Sequence, residues 1–322
     1  MVFQNLFPRS KLSAASRRAG EQTVIFFNMI KTKIKEKAMT KVISMINLKG
    51  GVGKTQLVVA MGEFLASIKN KKVLIIDLDP QTNATVMLIG EKKWKSQNKK
   101  GYTLYQLFKD KIDRTKKFEI RKTIINRISN ISSGLNNLDL FPSSLDLISI
   151  QDRIPSIGQD QFGIISPSTI LQNVMQPIID EEKYDFILID CPPNLGMITL
   201  NGLMISDYYL IPTKADYIST YGIPQIIERI NEFNDASQKN VTPLGIVITM
   251  YSGHHKRLHD EVIDFIENHS SYPDVYEDYI PFRIRIAETS YFDGSTTYTL
   301  KQKYGDSYDV IEGLIDTILT EV

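Results

Sequence analysis

The sequence predicts a doubly wound α/β fold, with a mostly parallel sheet flanked by helices. From about residue 41 onward, short apolar runs alternate with longer stretches of helical periodicity, which is the pattern of successive βαβ units. The runs Val73–Asp77 and Phe186–Asp190 are apolar at almost every position, which indicates strands buried on both faces, as in a parallel sheet. Ligands of such folds bind beyond the carboxyl ends of the strands, so we expect the functional site there.

The individual elements follow from length, composition and periodicity. The predicted strands are Val42–Ile46, Val73–Asp77, Leu138–Phe141, Phe186–Asp190, Tyr208–Pro212 and Leu244–Met250. The predicted helices are Gln56–Ile68, Pro167–Glu182, Ile223–Asn234 and Lys256–Asn268. The lysine-rich residues 91–122 interrupt the alternation and are predicted to form a surface excursion with one helix around Thr103–Phe108. Their charge indicates either a solvated face or a contact with DNA.

Charge and cysteine content narrow the possible functions. The 322 residues carry a net charge of +1 and include one cysteine, Cys191. A single cysteine excludes an intrachain disulfide framework and a cysteine-ligated cluster held within one chain. No uninterrupted apolar run in the sequence approaches the ~20 residues that a membrane-spanning helix needs.

The N-terminal segment, residues 1–38, differs in composition from the rest of the chain. It contains eight Lys or Arg residues against two Glu residues and has no clear periodicity. It has weak transit-peptide character, and a basic DNA-binding arm is a second interpretation. The favoured interpretation is that the functional chain starts at Met39 and that the upstream part is disordered or not native. The predicted organisation is a basic extension, residues 1–38, followed by one α/β domain, residues 39–322.

A segment rich in glycine and lysine lies between the first predicted strand and the first predicted helix. It reads Asn-Leu-Lys-Gly-Gly-Val-Gly-Lys-Thr at residues 47–55. The glycines allow backbone N–H groups to surround an anion, and the following helix adds the positive end of its dipole. Lys54 can reach the β- and γ-phosphates of a nucleotide, and the Thr55 hydroxyl can ligate Mg²⁺. The usual pattern requires glycine at position 48, where this chain has leucine, and a second lysine, Lys49, precedes the glycines.

Aspartates stand at the ends of two further predicted strands. Asp77 and Asp79 follow the second strand, and alternate residues of a strand share a face, so both carboxylates can point toward the phosphate site. Asp190 ends the buried strand Phe186–Asp190. Two carboxylates, Mg²⁺ and two lysines are sufficient for phosphoryl transfer, because this reaction depends on positioning and on charge stabilisation.

Together these segments resemble the deviant Walker A ATPases of the ParA, MinD and nitrogenase-reductase family, and the likeness runs from about Met39 into the C-terminal region. The segments that carry it are Lys-Gly-Gly-Val-Gly-Lys-Thr at 49–55, Asp-Leu-Asp-Pro-Gln at 77–81, Ile-Asp-Cys-Pro-Pro at 189–193 and Pro-Phe-Arg-Ile-Arg-Ile-Ala-Glu at 281–288. The resemblance implies a P-loop NTPase fold.

The resemblance also implies a role for each motif residue. Lys49 would reach across a nucleotide-sandwich dimer to the phosphates of the partner, and Asp79 would orient or polarise the attacking water. Asp190 would hold Mg²⁺ through water, with Asp77 supporting that shell. The implied catalytic residues are Lys49, Lys54 and Asp79, and the implied metal-site residues are Thr55, Asp77 and Asp190. The implied nucleotide contacts are Lys49, Gly50, Gly51, Val52, Gly53, Lys54, Thr55, Gln56, Met250 and Pro281, the last two near the adenine.

The expected nucleotide is ATP with Mg²⁺. Thr-Lys-Ala-Asp at 213–216 matches a motif with which GTPases read guanine, but in related GTPases the motif follows the strand that corresponds to Leu244–Met250. No aspartate of that kind follows this later strand. The chain departs from the family pattern at Gln56, Thr82 and Phe282, where threonine, glycine and arginine are common.

Two branches of the family do not fit this sequence. A nitrogenase-reductase-like electron donor needs clustered cysteines, and this chain has one. A MinD-like division regulator needs a basic amphipathic C-terminal helix to hold a membrane. Residues 304–322 contain five Asp or Glu residues and no Lys or Arg, and their apolar positions predict a helix docked on the body of the protein.

The predicted function is therefore that of an ATP-dependent, dimerising partition ATPase, cytoplasmic and nucleoid-associated, with no membrane contact. It would bind DNA non-specifically in the ATP state and work with a ParB-like centromere-binding partner. The expected DNA contacts are Lys256, Arg257, Arg283 and Arg285. One alternative is a ParA-like positioner of protein cargo, such as carboxysomes or chemoreceptor clusters, with a cargo-adaptor partner. Another is a nucleotide-binding regulator with little turnover.

Overall fold

Six strands and twelve α-helices form the part of the chain that the computed structural model describes, which is residues 39–157, 166–252, 255–281, 292 and 296–322. The strands are β1 (Lys41–Met45), β2 (Val73–Asp77), β3 (Leu138–Phe141), β4 (Phe186–Asp190), β5 (Tyr208–Lys214) and β6 (Thr242–Thr249). The helices are α1 (Lys54–Ser67), α2 (Asn83–Ile89), α3 (Glu91–Lys99), α4 (Leu104–Asp113), α5 (Ile120–Thr123), α6 (Gln172–Asp180), α7 (Met197–Leu203), α8 (Tyr217–Thr220), α9 (Gly222–Ser237), α10 (Lys256–Glu267), α11 (Leu300–Tyr304) and α12 (Tyr308–Glu321).

The strands form one sheet in the order β3–β2–β4–β1–β5–β6, and each neighbouring pair is parallel. Their carboxyl ends therefore lie along one edge of the sheet. Asp190 at the end of β4 is in register with both Met45 of β1 and Asp77 of β2. The predicted fold is confirmed, since helices cover both faces of a parallel sheet.

Two apolar cores lie on opposite faces of this sheet, because successive residues of a strand point to opposite sides. On β1, Ile43 and Met45 belong to the core that α1 and α12 cover, whereas Val42 belongs to the other core. The second core is closed by α4, α7, α9 and α10. Every residue of β2 and β4 is buried, which explains why these strands are apolar throughout.

One predicted helix, Pro167–Glu182, is wrong as a continuous element. A 3₁₀ turn at Pro167–Thr169 comes first, and α6 begins only at Gln172. The side chain of Asn201 accounts for the break, because its amide donates to the Pro167 carbonyl (2.8 Å) and its oxygen accepts from the Leu171 N–H (3.0 Å). These backbone groups are satisfied by a side chain from α7 instead of by a helical turn.

The helix predicted around Thr103–Phe108 corresponds to α4, but the prediction of only one helix within residues 91–122 is wrong, since α3 and most of α5 also lie there. Trp94 anchors α3, with its indole N–H donating to the Ser143 carbonyl (3.2 Å), and the Leu104 N–H donates to the Pro142 carbonyl (2.9 Å). Beyond α5, Ile125 pairs with Leu140 of β3 in an antiparallel bridge. The segment is therefore attached to residues 142 and 143, just beyond β3, while residues 125–128 pair with this edge strand, whose backbone groups would otherwise face solvent.

The C-terminal helix α12 docks on the body of the protein, as predicted. It buries Ile311, Leu314, Ile315 and Ile318 in the core that α1 also lines. Lys69, just beyond α1, lies 2.5 Å from the Asp316 carboxylate of α12. None of the described helices combines the length and the apolar character that crossing a bilayer requires.

A buried charge network joins α11 to α1. The Lys303 ammonium lies 2.6 Å from the Glu63 carboxylate, and side-chain exposure is 1% for the lysine and 0% for the glutamate. Tyr304 and Ser129 also donate to Glu63, both at 2.6 Å, and Lys303 donates to the Asn130 side chain (2.9 Å). These donors compensate the cost of holding the Glu63 charge away from water.

Replacing Lys303 with methionine is expected to lower the free energy of unfolding by about 3–5 kcal/mol, because it leaves the Glu63 charge buried without its counter-ion. Urea unfolding at neutral pH measures this loss. Lys301→Met, on the exposed side of the same helix, is the matched control and should change stability far less. Adding Glu63→Gln to Lys303→Met should restore part of the stability. Equal losses for Lys303→Met and Lys301→Met would contradict the assignment.

Candidate nucleotide-binding site

The loop between β1 and α1 has the backbone of an anion cradle. Gly51 and Gly53 have φ angles of +68° and +81°, in the left-handed region where a side chain is strained. A Cβ at Gly53 would also lie 3.3 Å from the Cβ of Thr249, so the loop passes close to the end of β6. Gly53 is the N-cap residue of α1 and forms no side-chain cap. The first amides of α1 can therefore be satisfied by an anion.

Two side chains outside the glycine motif hold this loop in place. The Asn47 amide donates to the Pro212 carbonyl (2.8 Å) and the Thr213 hydroxyl (2.9 Å), and its oxygen accepts from the Lys49 N–H (2.8 Å). The Thr249 hydroxyl donates to the Val52 carbonyl (2.7 Å). The ends of β5 and β6 thus support the loop. The sequence predictions missed this role of Asn47 and Thr249, and a buried asparagine directly after a strand was the available signal.

Lys54 lies inside the loop. Its ammonium donates to the carbonyl oxygens of Asn47 (3.1 Å) and Lys49 (2.9 Å), and the residue is only 6% exposed. Burial lowers the pKa of Lys54, and the nearby carboxylates of Asp190 and Asp79 oppose that shift. The start of α1 therefore provides the cation, and residues at or just beyond the ends of β4 and β2 provide the carboxylates that favour its charged form.

Lys49 differs from Lys54 in its surroundings. It is partly exposed, and its ammonium makes no ion pair or side-chain hydrogen bond within the described residues. The residues that the structure describes therefore leave the Lys49 charge available to another molecule. Its predicted reach into a partner subunit stays a prediction.

Asp77 and Asp190 form a buried carboxylate pair at the ends of β2 and β4. Asp77 accepts from the backbone N–H groups of Asp79 (3.1 Å) and Thr85 (2.8 Å) and from the Thr85 hydroxyl (2.6 Å). Both oxygens of Asp190, in contrast, are buried without a hydrogen-bond partner in the described structure. Burial raises the pKa of both carboxyls, and the charge of Asp190 raises the pKa of Asp77 further.

The donor set at Asp190 fits a hard divalent cation. A fully buried carboxylate without partners is rare in folded proteins, and a bound cation would satisfy it. The Thr55 hydroxyl lies beside Asp190 and counteracts the rise in its pKa without completing a hydrogen bond. Hydroxyl and carboxylate oxygens are ligands that Mg²⁺ accepts. Because the oxygens of Asp77 already accept protein hydrogen bonds, its surroundings favour a supporting role over direct ligation.

Asp79 is a buried residue just beyond β2, on a turn in which the Thr82 N–H donates to its carbonyl (2.9 Å). One carboxylate oxygen accepts from the Gln81 N–H (2.8 Å), and the other accepts no hydrogen bond from the described residues. The Ser143 hydroxyl donates to the Asp79 carbonyl (2.8 Å), and the Ser143 N–H donates to the Thr85 hydroxyl (3.0 Å). Thr85 and Ser143 therefore position both Asp77 and Asp79. These contacts were absent from the sequence predictions.

Two other sequence features have structural roles. Cys191 is completely buried, and burial raises the pKa of its thiol to about 12, which agrees with its interpretation as a small core residue. The Asp216 carboxylate accepts from the Ser219 N–H and hydroxyl, both at 2.8 Å, and so caps α8. The Asp216 carboxylate is therefore engaged by Ser219, in accord with ATP as the expected nucleotide.

The remaining predicted site residues are placed as follows. Met250, with φ +56°, directly follows β6, and its neighbour Tyr251 pairs with Pro281, so both predicted adenine contacts lie at the carboxyl end of the sheet. Gln56 is half-buried in the first turn of α1. Lys256 and Arg257 are exposed at the start of α10, where Arg257 pairs with Glu261 (3.0 Å). Phe282, Arg283 and Arg285 lie outside the described residues.

Comparison with known proteins identifies relatives along most of the chain. A family model described as an AAA domain matches residues 40–242, which include the loop and both aspartate-bearing strands. The chain is 30% identical over 251 residues to the sporulation initiation inhibitor protein Soj of Bacillus subtilis (strain 168), covering 78% of this chain and 87% of Soj. It is 28% identical over 269 residues to the chromosome partitioning protein ParA of Myxococcus xanthus, covering 83% and 85%. A crystal structure of a putative plasmid partition protein from Borrelia burgdorferi B31 bound to AMPPNP is similar, with a TM-score of 0.62, 25% identity and coverage of 88% of this chain and 100% of that one.

Proposed function

The chain belongs to the ParA-type branch of the AAA-domain P-loop ATPases, and from this premise we propose that it is a partition ATPase that dimerises and binds DNA in its ATP state. The observation that carries the proposal is one site that combines a glycine cradle, two lysines and an unpartnered buried carboxylate. ATP and Mg²⁺ are its cofactors, in keeping with the ATP analogue bound to the Borrelia protein.

ATP hydrolysis would proceed from residues that the fold already holds in position. The amides of residues 50–55 would bind the phosphates, and Lys54, held at the loop by two carbonyls, would move its charge onto them. Thr55 and Asp190 would hold Mg²⁺, which supplies charge neutralisation at the β- and γ-phosphates. Asp79 would orient the attacking water with the carboxylate oxygen to which none of the described residues donates a hydrogen bond.

Dimerisation would follow from the exposed charge of Lys49. A triphosphate bound in one subunit concentrates negative charge at the mouth of the loop, and Lys49 of a second subunit would contribute a cation there. Hydrolysis and loss of the γ-phosphate would weaken this bridge, so that the nucleotide controls the population of the dimer. A ParB-like partner bound to the cargo would accelerate this step.

Non-specific DNA binding would use basic residues repeated on both subunits, with Lys256 and Arg257 at the start of α10 and Arg283 and Arg285 further along the chain. In this proposal the protein is cytoplasmic and nucleoid-associated. The acidic helix α12 supports the choice against a membrane-held regulator, because its apolar face packs on α1 and its acidic residues would be repelled by anionic lipid.

DNA binding measured beside oligomeric state tests the proposal. With Mg²⁺ and a non-hydrolysable ATP analogue, we expect a dimer that binds random-sequence duplex DNA at least about tenfold more tightly than the ADP or nucleotide-free protein, because two basic surfaces act together. Lys54→Ala is the control that should remain in the weak state with every nucleotide. DNA affinity that is equal in all three nucleotide states would contradict the proposed switch.

A further inference from the structure

The surface formed by α3, α4 and α5, residues 91–122, has a charge opposite to that of the rest of the folded chain. The segment contains twelve Lys or Arg residues and four Asp or Glu residues. The other residues between 39 and 322 contain eighteen Lys or Arg and thirty-one Asp or Glu. A strongly basic surface on an acidic body directs polyanions toward one place on the molecule.

All four acidic residues of this α3–α5 surface are already engaged. Glu91 pairs with Lys95 (2.5 Å) and Glu119 with Lys122 (2.8 Å), while Asp113 pairs with Arg153 from outside the segment (3.5 Å). Asp110 is buried and accepts from three groups that follow it in the chain, the Thr115 hydroxyl and the N–H groups of residues 117 and 118. The segment therefore has no carboxylate left to neutralise its remaining cations.

The other ten cations of the segment make no ion pair with any described residue, and eight of them are exposed. On α3, Lys92 and Lys99 lie on the side of the helix opposite Trp94, which is buried. Since isolated surface charges add little to stability, so many unpaired cations serve no evident purpose in the fold.

A cavity beside α3 is lined by three of the basic residues in this region. It has a volume of about 550 Å³ and lies between α3 and the loop at residues 127–133. Lys92, Lys93 and Arg127 line it together, and none of its described lining residues is acidic. Three cations around one cavity, with no acidic residue among its described lining, favour a phosphate or another compact anion.

We propose that the α3–α5 surface binds the phosphate backbone of duplex DNA. A membrane is the less suitable polyanion, because an interfacial helix needs an exposed apolar face, and none of the exposed large apolar side chains of the described structure lies in residues 91–122. The inference rests on the proposed function for its choice of DNA over other polyanions.

This surface is separate from the DNA contacts predicted at Lys256 and Arg257. The α3–α5 segment is bonded to residues 142 and 143, which follow β3 at one edge of the sheet, whereas α10 follows β6 at the other edge. Six strands spaced about 4.8 Å apart place the two edges about 24 Å from each other. Each surface can therefore be altered without changing the other.

Salt-dependent binding to random-sequence duplex DNA tests the inference. The α3 variant, Lys92→Gln/Lys99→Gln/Lys100→Gln, removes three charges on and next to α3. The control variant, Lys71→Gln/Lys72→Gln/Lys239→Gln, removes three charges near the amino ends of β2 and β6. With Mg²⁺ and a non-hydrolysable ATP analogue at about 0.1 M salt, the α3 variant is expected to bind DNA at least about tenfold more weakly. The slope of log affinity against log salt should fall in magnitude by about 0.9 for each lost phosphate contact. The control variant should match the wild type, and the α3 variant should dimerise normally.

The outcomes separate this inference from the proposed function. An α3 variant that binds DNA like the control overturns the inference, and if Lys256→Gln/Arg257→Gln then loses binding, the proposed function stands. A wild-type protein that binds no DNA with any nucleotide overturns both. If the α3 variant keeps its affinity for DNA but loses affinity for vesicles containing phosphatidylserine, the surface binds lipid and the inference is overturned.

Discussion

Replacing Lys54 with alanine is expected to weaken ATP binding by about 100-fold or more, which corresponds to about 2.8 kcal/mol, and to abolish hydrolysis. The buried ammonium is the cation that the loop holds next to the anion cradle, with Asp190 and Asp79 favouring its charged form. Without it, a triphosphate would face two carboxylates and no compensating charge inside the loop. Titration with a fluorescent ATP analogue in the presence of Mg²⁺ measures the loss.

Lys54→Gln serves as the matched variant for Lys54→Ala. Its amide can still donate to the carbonyls of Asn47 and Lys49 but carries no charge, so we expect nearly the same loss of ATP affinity with a smaller change in thermal stability. Lys72→Ala, at an exposed position remote from the loop, should bind ATP normally. ATP affinity retained in Lys54→Gln would show that the lysine acts through packing and not through charge.

Replacing Asp79 with alanine is expected to slow ATP hydrolysis by about 10²–10⁴-fold, the range of a lost general base or water-positioning group, while ATP is still bound. We expect slower hydrolysis because one Asp79 oxygen accepts from the Gln81 N–H, while the other is available to accept from the attacking water. Phosphate release gives the rate, and the same titration gives the affinity.

Asp79→Asn tests the role of the Asp79 charge more specifically than Asp79→Ala does. The asparagine oxygen can still accept from the Gln81 N–H, which preserves the turn, while the negative charge that polarises water is gone. We expect Asp79→Asn to be as slow as Asp79→Ala and to fold as stably as the wild type. Normal hydrolysis in either variant would show that another group positions the water.

The parts of the structure that the sequence predicted best are those encoded locally. β2, β3 and β4 were predicted with the bounds they have, and for β2 and β4 the reason is that continuous apolar runs ending in a polar residue have few other interpretations. The phosphate loop is likewise contiguous, so that Gly51, Gly53 and Lys54 could be placed together before any contact was known. The all-parallel sheet follows from the same alternation.

The parts that were missed depend on residues far apart in the chain. The Glu63–Lys303 pair spans 240 positions, and Asn201 interrupts the predicted helix at Pro167 from 34 positions away. Ser143 reaches Asp79 across 64 positions. No local pattern marks such partners. The short helices α3 and α5 were missed because each buries only one residue, too few to show a clear period.

The central claim is that Lys49 joins two subunits through bound ATP, and sedimentation velocity of the Asp79→Ala protein with Mg²⁺ and ATP tests it most directly. Slow hydrolysis keeps the triphosphate in place, so this variant should sediment as a dimer with ATP and as a monomer with ADP. The double variant Lys49→Ala/Asp79→Ala should bind ATP and remain a monomer. A double variant that dimerises with ATP as fully as Asp79→Ala would contradict the claim.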